Sequence, residues 1–260
     1  MNVHGSIALV SGGNRGLGKA YVQALLDAGA RKVYVGMRHP TDVSDARLQP
    51  IKLDITNEQD VNAAVKACQD ITILINNAGV ATESPLIEAP SMDGARQEIE
   101  INYLGTLAMC RAFAPVLKRN GGGVLVNMLS VVSWYVDPVV GSYSASKAAE
   151  FAMTNGVRIE LRRQGTLVVG VYAGYIDTDM TANFKVPKSR PEDVARNVIK
   201  AINAGEEEVL ADEQSRSIKA ALKARPESLN ERSQQDWDRD HPSEVPSTSR
   251  TTGQRRNEGG

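Results

Sequence analysis

Short runs of apolar residues recur along the chain, separated by longer stretches with helical periodicity. The runs are continuous and do not alternate between apolar and polar residues, which is typical of strands covered on both faces. Seven runs are predicted strands: Ile7–Val10, Lys32–Val35, Pro50–Leu53, Ile71–Ile75, Val124–Met128, Leu167–Tyr172 and Glu207–Leu210.

The intervening stretches are predicted helices: Gly18–Ala28, Glu58–Ala67, Arg96–Lys118, Tyr143–Arg163 and Pro191–Ala204. A strand followed repeatedly by a helix indicates a parallel sheet with right-handed crossovers. The pattern therefore predicts an α/β fold with about seven strands and helices on both faces of the sheet.

The pattern ends near Pro226, beyond which most positions are polar or charged. Such a segment buries too little apolar surface to offset the conformational entropy lost on folding. We expect one domain over residues 1–225 and a disordered polar tail over residues 226–260. Trp237 in that tail is either a docking anchor for a partner or a solvated aromatic residue.

The charge of the chain is nearly balanced, with 30 basic and 31 acidic residues among 260. This balance gives no reason to expect binding to nucleic acid or to an anionic membrane. The sequence has neither an apolar run of about 18 residues nor a secretory leader. Cys68 and Cys110 are too few for a disulfide framework, so we expect a cytoplasmic protein with free thiols.

The first predicted strand ends in a glycine-rich turn, Ser11–Gly18, and a helix follows at once. Glycine allows a tight turn and a close approach of the backbone to a pyrophosphate. The start of the following helix offers free N–H groups and a partial positive charge to that anion. The alternative is a strand-to-helix turn without a ligand.

Tyr143 and Lys147 are four residues apart and therefore share one face of a predicted helix. A nearby ammonium favours the phenolate and lowers the pKa of a tyrosine, which suits the phenol for acid–base catalysis near neutral pH. A surface Tyr–Lys pair on an amphipathic helix is the alternative.

The spacing G-x-x-x-G-x-G, the turn Asn76–Gly79 and the Tyr-x-x-x-Lys pair together resemble the short-chain dehydrogenase/reductase family in its single-domain form. A fourth segment, Ala173–Met180, is similar to the family's loop at the nicotinamide. The resemblance covers residues 5 to about 212. It implies a doubly wound Rossmann fold and an oxidoreductase that uses a nicotinamide cofactor.

The resemblance also implies the catalytic residues. Ser130 lies at the family's distance before Tyr143, and it would hydrogen-bond the substrate oxygen; Ser133 fits this spacing less well. Tyr143 would exchange the proton, and Lys147 would tune Tyr143 and hold the nicotinamide ribose. Asn102 would position a water that links Lys147 to solvent, although a kink near Gly105 would also explain an asparagine within a helix.

The family's cofactor-binding positions correspond to a longer set of residues in this chain. These residues are Ser11, Gly12, Asn14, Arg15, Gly16, Leu17, Gly18, Arg38, Asp54, Ile55, Asn77, Ala78, Gly79, Tyr143, Lys147, Gly174, Ile176 and Thr178.

The second predicted strand is followed by Arg38, where an NAD-dependent enzyme of this type places an acidic residue on the ribose 2′-hydroxyl. Guanidinium groups suit bidentate binding of a 2′-phosphate. Arg15 and Arg38 match positions at which NADP-preferring members carry basic residues. We therefore expect NADP(H) as the cofactor.

The expected function is the NADPH-dependent reduction of a ketone or aldehyde to an alcohol, or the reverse. A non-catalytic NADP(H)-binding sensor or scaffold is the alternative. The resemblance implies a homodimer or homotetramer, and no cluster of residues has metal-ligand spacing. The segments Met37–Pro50 and Thr181–Pro191 are short, so we expect no full helix in the first and only a brief lid over the substrate in the second.

Overall fold

A parallel β-sheet forms the centre of the protein in the computed structural model, which describes residues 2–41, 43 and 45–241. The strands in these residues are β1 (Ile7–Ser11), β2 (Lys32–Met37), β3 (Leu48–Lys52), β4 (Ile73–Asn76), β5 (Val124–Met128), β6 (Leu167–Tyr172) and β7 (Glu208–Leu210). β1 is buried at every position, as its unbroken apolar run predicts.

The strand order is β3-β2-β1-β4-β5-β6-β7, and every pair of neighbours is parallel. Ala8 on β1 pairs with Val33 on one side and Ile73 on the other. The chain therefore changes its winding direction between β1 and β4, where ligands of open α/β sheets bind. The prediction of a doubly wound α/β Rossmann fold is confirmed.

Helices cover both faces of the sheet within the described residues. They are α1 (Gly16–Asp27), α2 (Glu58–Ala67), α3 (Asp93–Glu98), α4 (Thr106–Arg119), α5 (Gly141–Leu161), α6 (Pro191–Ala204), α7 (Glu213–Ala224) and α8 (Glu227–Asp240). One face is covered by α1 and α6, with Tyr21 and Ile202 in its core. The other face is covered by α2, α4 and α5, with Phe113 in its core.

Local signals in the sequence explain where α6 begins and ends. Pro191 occupies the first turn, where a missing N–H is tolerated, and Glu192 and Asp193 add negative charge at the positive end of the helix. The helix ends at Gly205, whose φ of +74° glycine adopts without steric cost.

The predicted helix Arg96–Lys118 is part of a longer helical stretch with an irregular middle. Between α3 and α4 the backbone is π-helical over Ile99–Gly105. Such bulges distort the regular hydrogen-bond ladder and occur frequently at functional sites. The π-helical segment contains Asn102, which agrees with the local irregularity that an asparagine within a helix suggests.

The C-terminal segment differs from the expected disordered tail. Residues Glu227–Asp240 form α8, which follows α7; neither helix was predicted. Leu229 is only 5% exposed and packs with Val131 and Ile218, so one apolar residue docks an otherwise polar helix. The hydroxyl of Ser233 also donates to the Val136 carbonyl at 2.7 Å. The tail prediction beyond residue 241 lies outside the described residues.

Leu229→Ala is expected to release α8, because it removes the buried contact that docks the helix. Loss of a buried leucine costs about 2 to 5 kcal/mol, and at this peripheral site we expect the lower end. Hydrogen exchange should show the backbone amides of α8 exchanging roughly 30-fold faster. Ile87→Ala, at a side chain that is 92% exposed, is the control. Unchanged exchange in Leu229→Ala would contradict docking through this residue.

Candidate active site

The glycine-rich turn connects β1 to α1 through two residues with positive φ. Gly12 has a φ of 63° and Gly16 a φ of 49°, in the left-handed region that favours glycine. The N-cap residue of α1, Arg15, makes no side-chain capping hydrogen bond, and the first turn holds no acidic residue. The N–H groups at this helix end are therefore available to an anion.

A side chain at Gly18 would not fit in the turn. A Cβ atom there would lie 2.7 Å from Asn77 Nδ2 and would collide with the Gly12 carbonyl. At Gly12, a Cβ atom would lie 3.2 Å from the Cα atom of Ala78. The turn thus packs closely on the segment after β4, and its shape fits a pyrophosphate that needs close approach to the backbone.

The ends of β1 and β4 are joined by hydrogen bonds of Ser11 and Asn77. The Ser11 hydroxyl accepts from the backbone N–H groups of Asn77 at 3.0 Å and Ala78 at 3.1 Å. In return, Asn77 Nδ2 donates to the backbone carbonyls of Ser11 at 3.1 Å and Gly12 at 3.3 Å. These bonds hold two predicted cofactor-binding segments, the glycine-rich turn and the Asn76–Gly79 turn, against each other.

Arg15 belongs to the glycine-rich turn, where its guanidinium pairs with Asp179 at 3.3 Å, and Arg38 directly follows β2. Both arginines are exposed. Hydrogen bonds from Thr56 lower the pKa of Asp54, and the charge of Arg38 acts in the same direction. Arg38 therefore lies close enough to Asp54 to stabilise its carboxylate.

Other predicted cofactor residues have surroundings that differ. Asn14 and Gly16 are exposed in the turn, while Leu17 is buried under it. Ile55 belongs to the core beneath the π-helical segment, since a Cβ atom at Gly105 would lie 2.8 Å from its Cγ1. Ile55 therefore offers a cofactor its backbone more readily than its buried side chain.

Asn102 is buried and bonded through both side-chain groups. Its Oδ1 accepts from the N–H of Val80 at 2.9 Å, and its Nδ2 donates to the Val80 carbonyl at 2.8 Å and to the Ser146 hydroxyl at 3.0 Å. It therefore ties the segment after Gly79 to α5. A Cβ atom at Gly79 would lie 3.1 Å from Asn102 Oδ1 and 3.9 Å from Lys147 Nζ, so Gly79 lies next to both side chains.

Ser130 and Tyr143 meet where β5 ends and α5 begins. Ser130 is the N-cap of the 3₁₀ turn Val131–Ser133, and its hydroxyl lies within hydrogen-bonding reach of the Tyr143 phenol. The hydroxyl of Ser133 instead accepts from the Ser130 N–H at 3.3 Å. Of the two serines that the sequence offered, Ser130 is the one at the phenol.

The pKa of Tyr143 is raised by burial, which disfavours the phenolate. The Lys147 ammonium, 5.8 Å from the centre of the phenol ring, acts in the lowering direction, as expected from the sequence. The net direction in the free protein is nevertheless upward. The expectation that Lys147 brings the phenol below its ordinary range is therefore wrong for this state, because the desolvation of the ring outweighs the ammonium.

Lys147 Nζ donates to the Met128 carbonyl at 2.7 Å and to Glu150 Oε2 at 2.6 Å. The first bond reaches the last residue of β5, and the second reaches a carboxylate one turn further along α5. Glu150 was not among the predicted residues.

The loop after β6 closes the site on the side of the glycine-rich turn. The Gly174 N–H donates to Asp212 Oδ2 at 2.8 Å, and Ile176 forms an isolated parallel β-bridge with Ser189. A Cβ atom at Gly16 would lie 3.2 Å from Thr178 Cγ2, so Thr178 touches the glycine-rich turn. Three predicted motifs therefore meet at the carboxyl ends of β1, β4 and β6.

A cavity of about 490 Å³ opens next to these groups, between the loop after β4 and the lid. It is lined by Ala81, Thr82, Glu83, Val140, Asp179, Met180, Asn183 and Phe184. Of the aromatic residues near the site, Phe184 is therefore a cavity wall. Trp134 instead stacks on Tyr172 at 4.1 Å.

The family model for short chain dehydrogenases matches residues 6–188. The chain belongs to the short-chain dehydrogenase family. It is an oxidoreductase of this family, and the resemblance found in its motifs is confirmed.

Several proteins are similar to this short-chain dehydrogenase over most of its length. A short chain dehydrogenase from Burkholderia cenocepacia J2315, crystallised with NADP, is 41% identical with a TM-score of 0.85, and the match covers 89% of this chain and 99% of that one. An uncharacterised oxidoreductase of Staphylococcus aureus USA300 is 29% identical over 75% of this chain and 90% of its own. A 3-oxoacyl-[acyl-carrier-protein] reductase from Synechocystis is 29% identical over 74% and 87%.

Two site residues of the short-chain dehydrogenase were missed from the sequence. Glu150 carries a signal, since it stands three residues after Lys147 with the opposite charge. Asp212 begins α7 with a capping box to Ser215, which resembles a sequence signature of a helix start. Neither signal shows by itself that the residue faces the site. Its placement there depends on how elements far apart in the chain pack together.

Asn102→Ala is expected to lower the free energy of unfolding by about 2 to 4 kcal/mol, because it leaves both backbone groups of Val80 without a partner and removes the donor to the Ser146 hydroxyl. Denaturant unfolding measures this change. Asn14→Ala, at an exposed asparagine, is the matched control and should change it by less than about 0.5 kcal/mol. Equal stability of the two variants would contradict the tie described here.

Proposed function

We propose that this short-chain dehydrogenase transfers hydride between NADP(H) and a carbonyl or alcohol substrate, with Tyr143 as the general acid or base. The observation that carries the proposal is the meeting of Ser130, Tyr143 and Lys147 beside the Asn76–Gly79 turn, which packs on the glycine-rich turn. These three side chains come from two elements and lie at the sheet edge where ligands of such folds bind. Family membership supports the reaction class.

The cofactor would lie along the carboxyl edge of the sheet. The turn Gly12–Gly18 would hold the pyrophosphate, and Thr178 and Lys147 would hold the nicotinamide end. Two exposed guanidinium groups, Arg15 and Arg38, suit a 2′-phosphate, which favours NADP(H) over NAD(H). The relative that is 41% identical and was crystallised with NADP supports this choice.

When bound, reduced NADP supplies a hydride to the carbonyl carbon. The Ser130 hydroxyl orients the carbonyl oxygen, where negative charge develops during the transfer. Tyr143 gives its proton to that oxygen, so the products are the alcohol and oxidised NADP. Lys147 stabilises the phenolate that remains, because its ammonium carries the opposite charge. The reverse reaction uses the same groups, with the phenolate as the base.

The substrate class is a ketone or aldehyde, or the corresponding alcohol. The cavity beside Phe184 would hold its organic part. A screen of NADPH consumption over ketones, aldehydes, quinones and cyclic imines would narrow the class. A protein that bound NADPH but turned over none of them would instead support the non-catalytic sensor or scaffold.

We also propose a homodimer or homotetramer through α4 and α5, and a cytoplasmic location. The exposed apolar side chain of Ile159 on α5 supports an interface there. Both cysteines are free and buried, which is compatible with a reducing compartment. Among the helices of the described residues, none combines the length and the hydropathy needed to cross a bilayer.

Tyr143→Phe is expected to reduce kcat by at least about 100-fold while NADPH binding stays nearly unchanged, because only the proton-transferring hydroxyl is removed. Steady-state turnover and NADPH fluorescence titration measure the two effects. Tyr103→Phe, on the π-helical segment, is the control and should retain activity. Full turnover by Tyr143→Phe would exclude the assignment.

Arg15→Ala and Arg38→Ala are each expected to lower kcat/KM with NADPH by about 10- to 100-fold and to leave kcat/KM with NADH nearly unchanged. The reason is that each variant removes charge-assisted hydrogen bonds to the 2′-phosphate, and NADH lacks this phosphate. Arg31→Ala, at another exposed arginine, is the control. A wild-type preference for NADH would refute the cofactor assignment.

A further inference from the structure

A nearly fully buried ion pair lies on α5 next to the candidate proton donor. Lys147 Nζ is 2.6 Å from Glu150 Oε2, and the two side chains are only 7% and 2% exposed. A second N–H of the ammonium donates to the Met128 carbonyl at 2.7 Å. Since an ammonium has three donors, one is left for a bound ligand.

Glu150 is held from a second element as well. The hydroxyl of Thr106, at the start of α4, donates to its carboxylate. The carboxylate therefore has a cation on one side and a neutral donor on the other. Its backbone carbonyl accepts from the Thr154 hydroxyl at 2.8 Å, which is an ordinary bond within α5. Burial raises the pKa of Glu150, while the Lys147 ammonium and the Thr106 hydrogen bond act in the lowering direction, so these two contacts support the charged form.

The charge of Glu150 acts on both members of the Tyr143–Lys147 pair. Burial by itself lowers the pKa of Lys147, but Glu150 raises it, and the net direction is upward. Burial raises the pKa of Tyr143, Lys147 lowers it, and Glu150 raises it further. Both effects of Glu150 therefore favour the protonated form of the pair.

Other titratable groups near this pair come from three elements. Cys110 on α4 is neutral, because burial raises the pKa of its thiol to about 12. Glu98 at the end of α3 also raises the pKa of Tyr143, with less effect than Glu150. Tyr175, after β6, is neutral at physiological pH, because burial raises the pKa of its phenol. Glu150 is therefore the anion in direct contact with the ammonium.

We propose that Glu150 is a positioning residue that holds the Lys147 ammonium in place and keeps the proton on the Tyr143–Lys147 pair, so that the pair acts as a proton donor across the neutral and mildly alkaline range. The proposal rests on the function proposed for Tyr143 and Lys147. It assigns to this chain a three-residue unit, Tyr143–Lys147–Glu150, along one face of α5.

Removal of the Glu150 charge is expected to change the pH at which the Tyr143–Lys147 pair loses its first proton, and in one direction only. The phenol and the ammonium interact, so their first proton loss belongs to the pair and not to either group alone. Without the negative charge, both groups hold their protons less strongly. The first proton should therefore leave at a lower pH, whichever of the two groups releases it.

Glu150→Gln is the informative variant, because its amide oxygen still accepts a hydrogen bond from Lys147 while the charge is gone. Titration of the free protein by tyrosinate absorbance, with the signal of the same background carrying Tyr143→Phe subtracted, reports on Tyr143 without turnover. In parallel, the alkaline limb of kcat/KM for carbonyl reduction is recorded. We expect this limb to move to lower pH by roughly one unit or more. When Lys147 remains charged, the group that loses its proton is Tyr143, and its tyrosinate titration shifts to lower pH together with the alkaline limb.

Two further variants separate the charge of Glu150 from its contacts. Glu150→Leu removes both charge and acceptor, and kcat should fall at every pH because the ammonium loses its support. Glu150→Asp keeps the charge, retracted by one methylene, and should give a smaller shift in the same direction; it replaces Glu150→Gln if that variant does not fold. Asp70→Asn, which removes the partner of Lys32 at a matching 2.6 Å, is the control and should leave the limb in place.

The outcomes distinguish this proposal from the proposed function. If Tyr143→Phe is inactive and the alkaline limb stays in place in Glu150→Gln, the role of Glu150 is overturned and the function stands. If Tyr143→Phe retains turnover, the proposed function fails, while a shifted tyrosine titration in Glu150→Gln would still support control of protonation by Glu150. A limb that shifts equally in Asp70→Asn would overturn the assignment to Glu150.

Discussion

The ammonium of Lys147 lies inside the protein and joins two layers of the fold. It donates to the Met128 carbonyl at the end of β5 and to Glu150 on α5, both well below 3 Å. A buried charge is tolerated only when such partners surround it. The bond to the sheet restricts rotation of α5 about its axis, and the bond within the helix holds the ammonium in the position from which it reaches the sheet. Tyr143, one turn earlier on this helix, is aimed at Ser130 by the same restriction.

A line of buried amides and hydroxyls continues this connection through the core. Asn76 Nδ2 on β4 donates to Asn127 Oδ1 on β5 at 2.9 Å, and Asn127 Nδ2 donates to the Thr154 hydroxyl on α5 at 2.9 Å. Polar groups in a core are costly unless they are paired, so such a line specifies one relative placement of strands and helix. The helix that carries the proposed catalytic pair is thus held at several points along its length.

The cofactor side of the site is held by different means. Hydrogen bonds from the side chains of Ser11 and Asn77 to backbone groups join the turn after β1 to the turn after β4, and the ion pair of Arg15 and Asp179 at 3.3 Å reaches the lid. Both partners of that pair are largely exposed, so it contributes at most about 1 kcal/mol. The rigid half of the site therefore carries the proposed proton chemistry, while the half that would hold the dinucleotide is closed over by a weakly held segment.

The order of strands and helices followed from the sequence, because buried parallel strands are unbroken apolar runs and helices have their own period. The motifs of the candidate site also followed, since glycine turns and a Tyr-x-x-x-Lys spacing depend on a few neighbouring residues. The docking of α8 through Leu229 did not, because this polar helix is held in part by contacts with Val131 and Val136, which lie far away in the sequence. Nor did the raised pKa of Tyr143 or the pairing of Lys147 with Glu150 in the interior. The unfolded chain carries the same groups, but only packing removes water from them, and desolvation decides how strongly each proton is held.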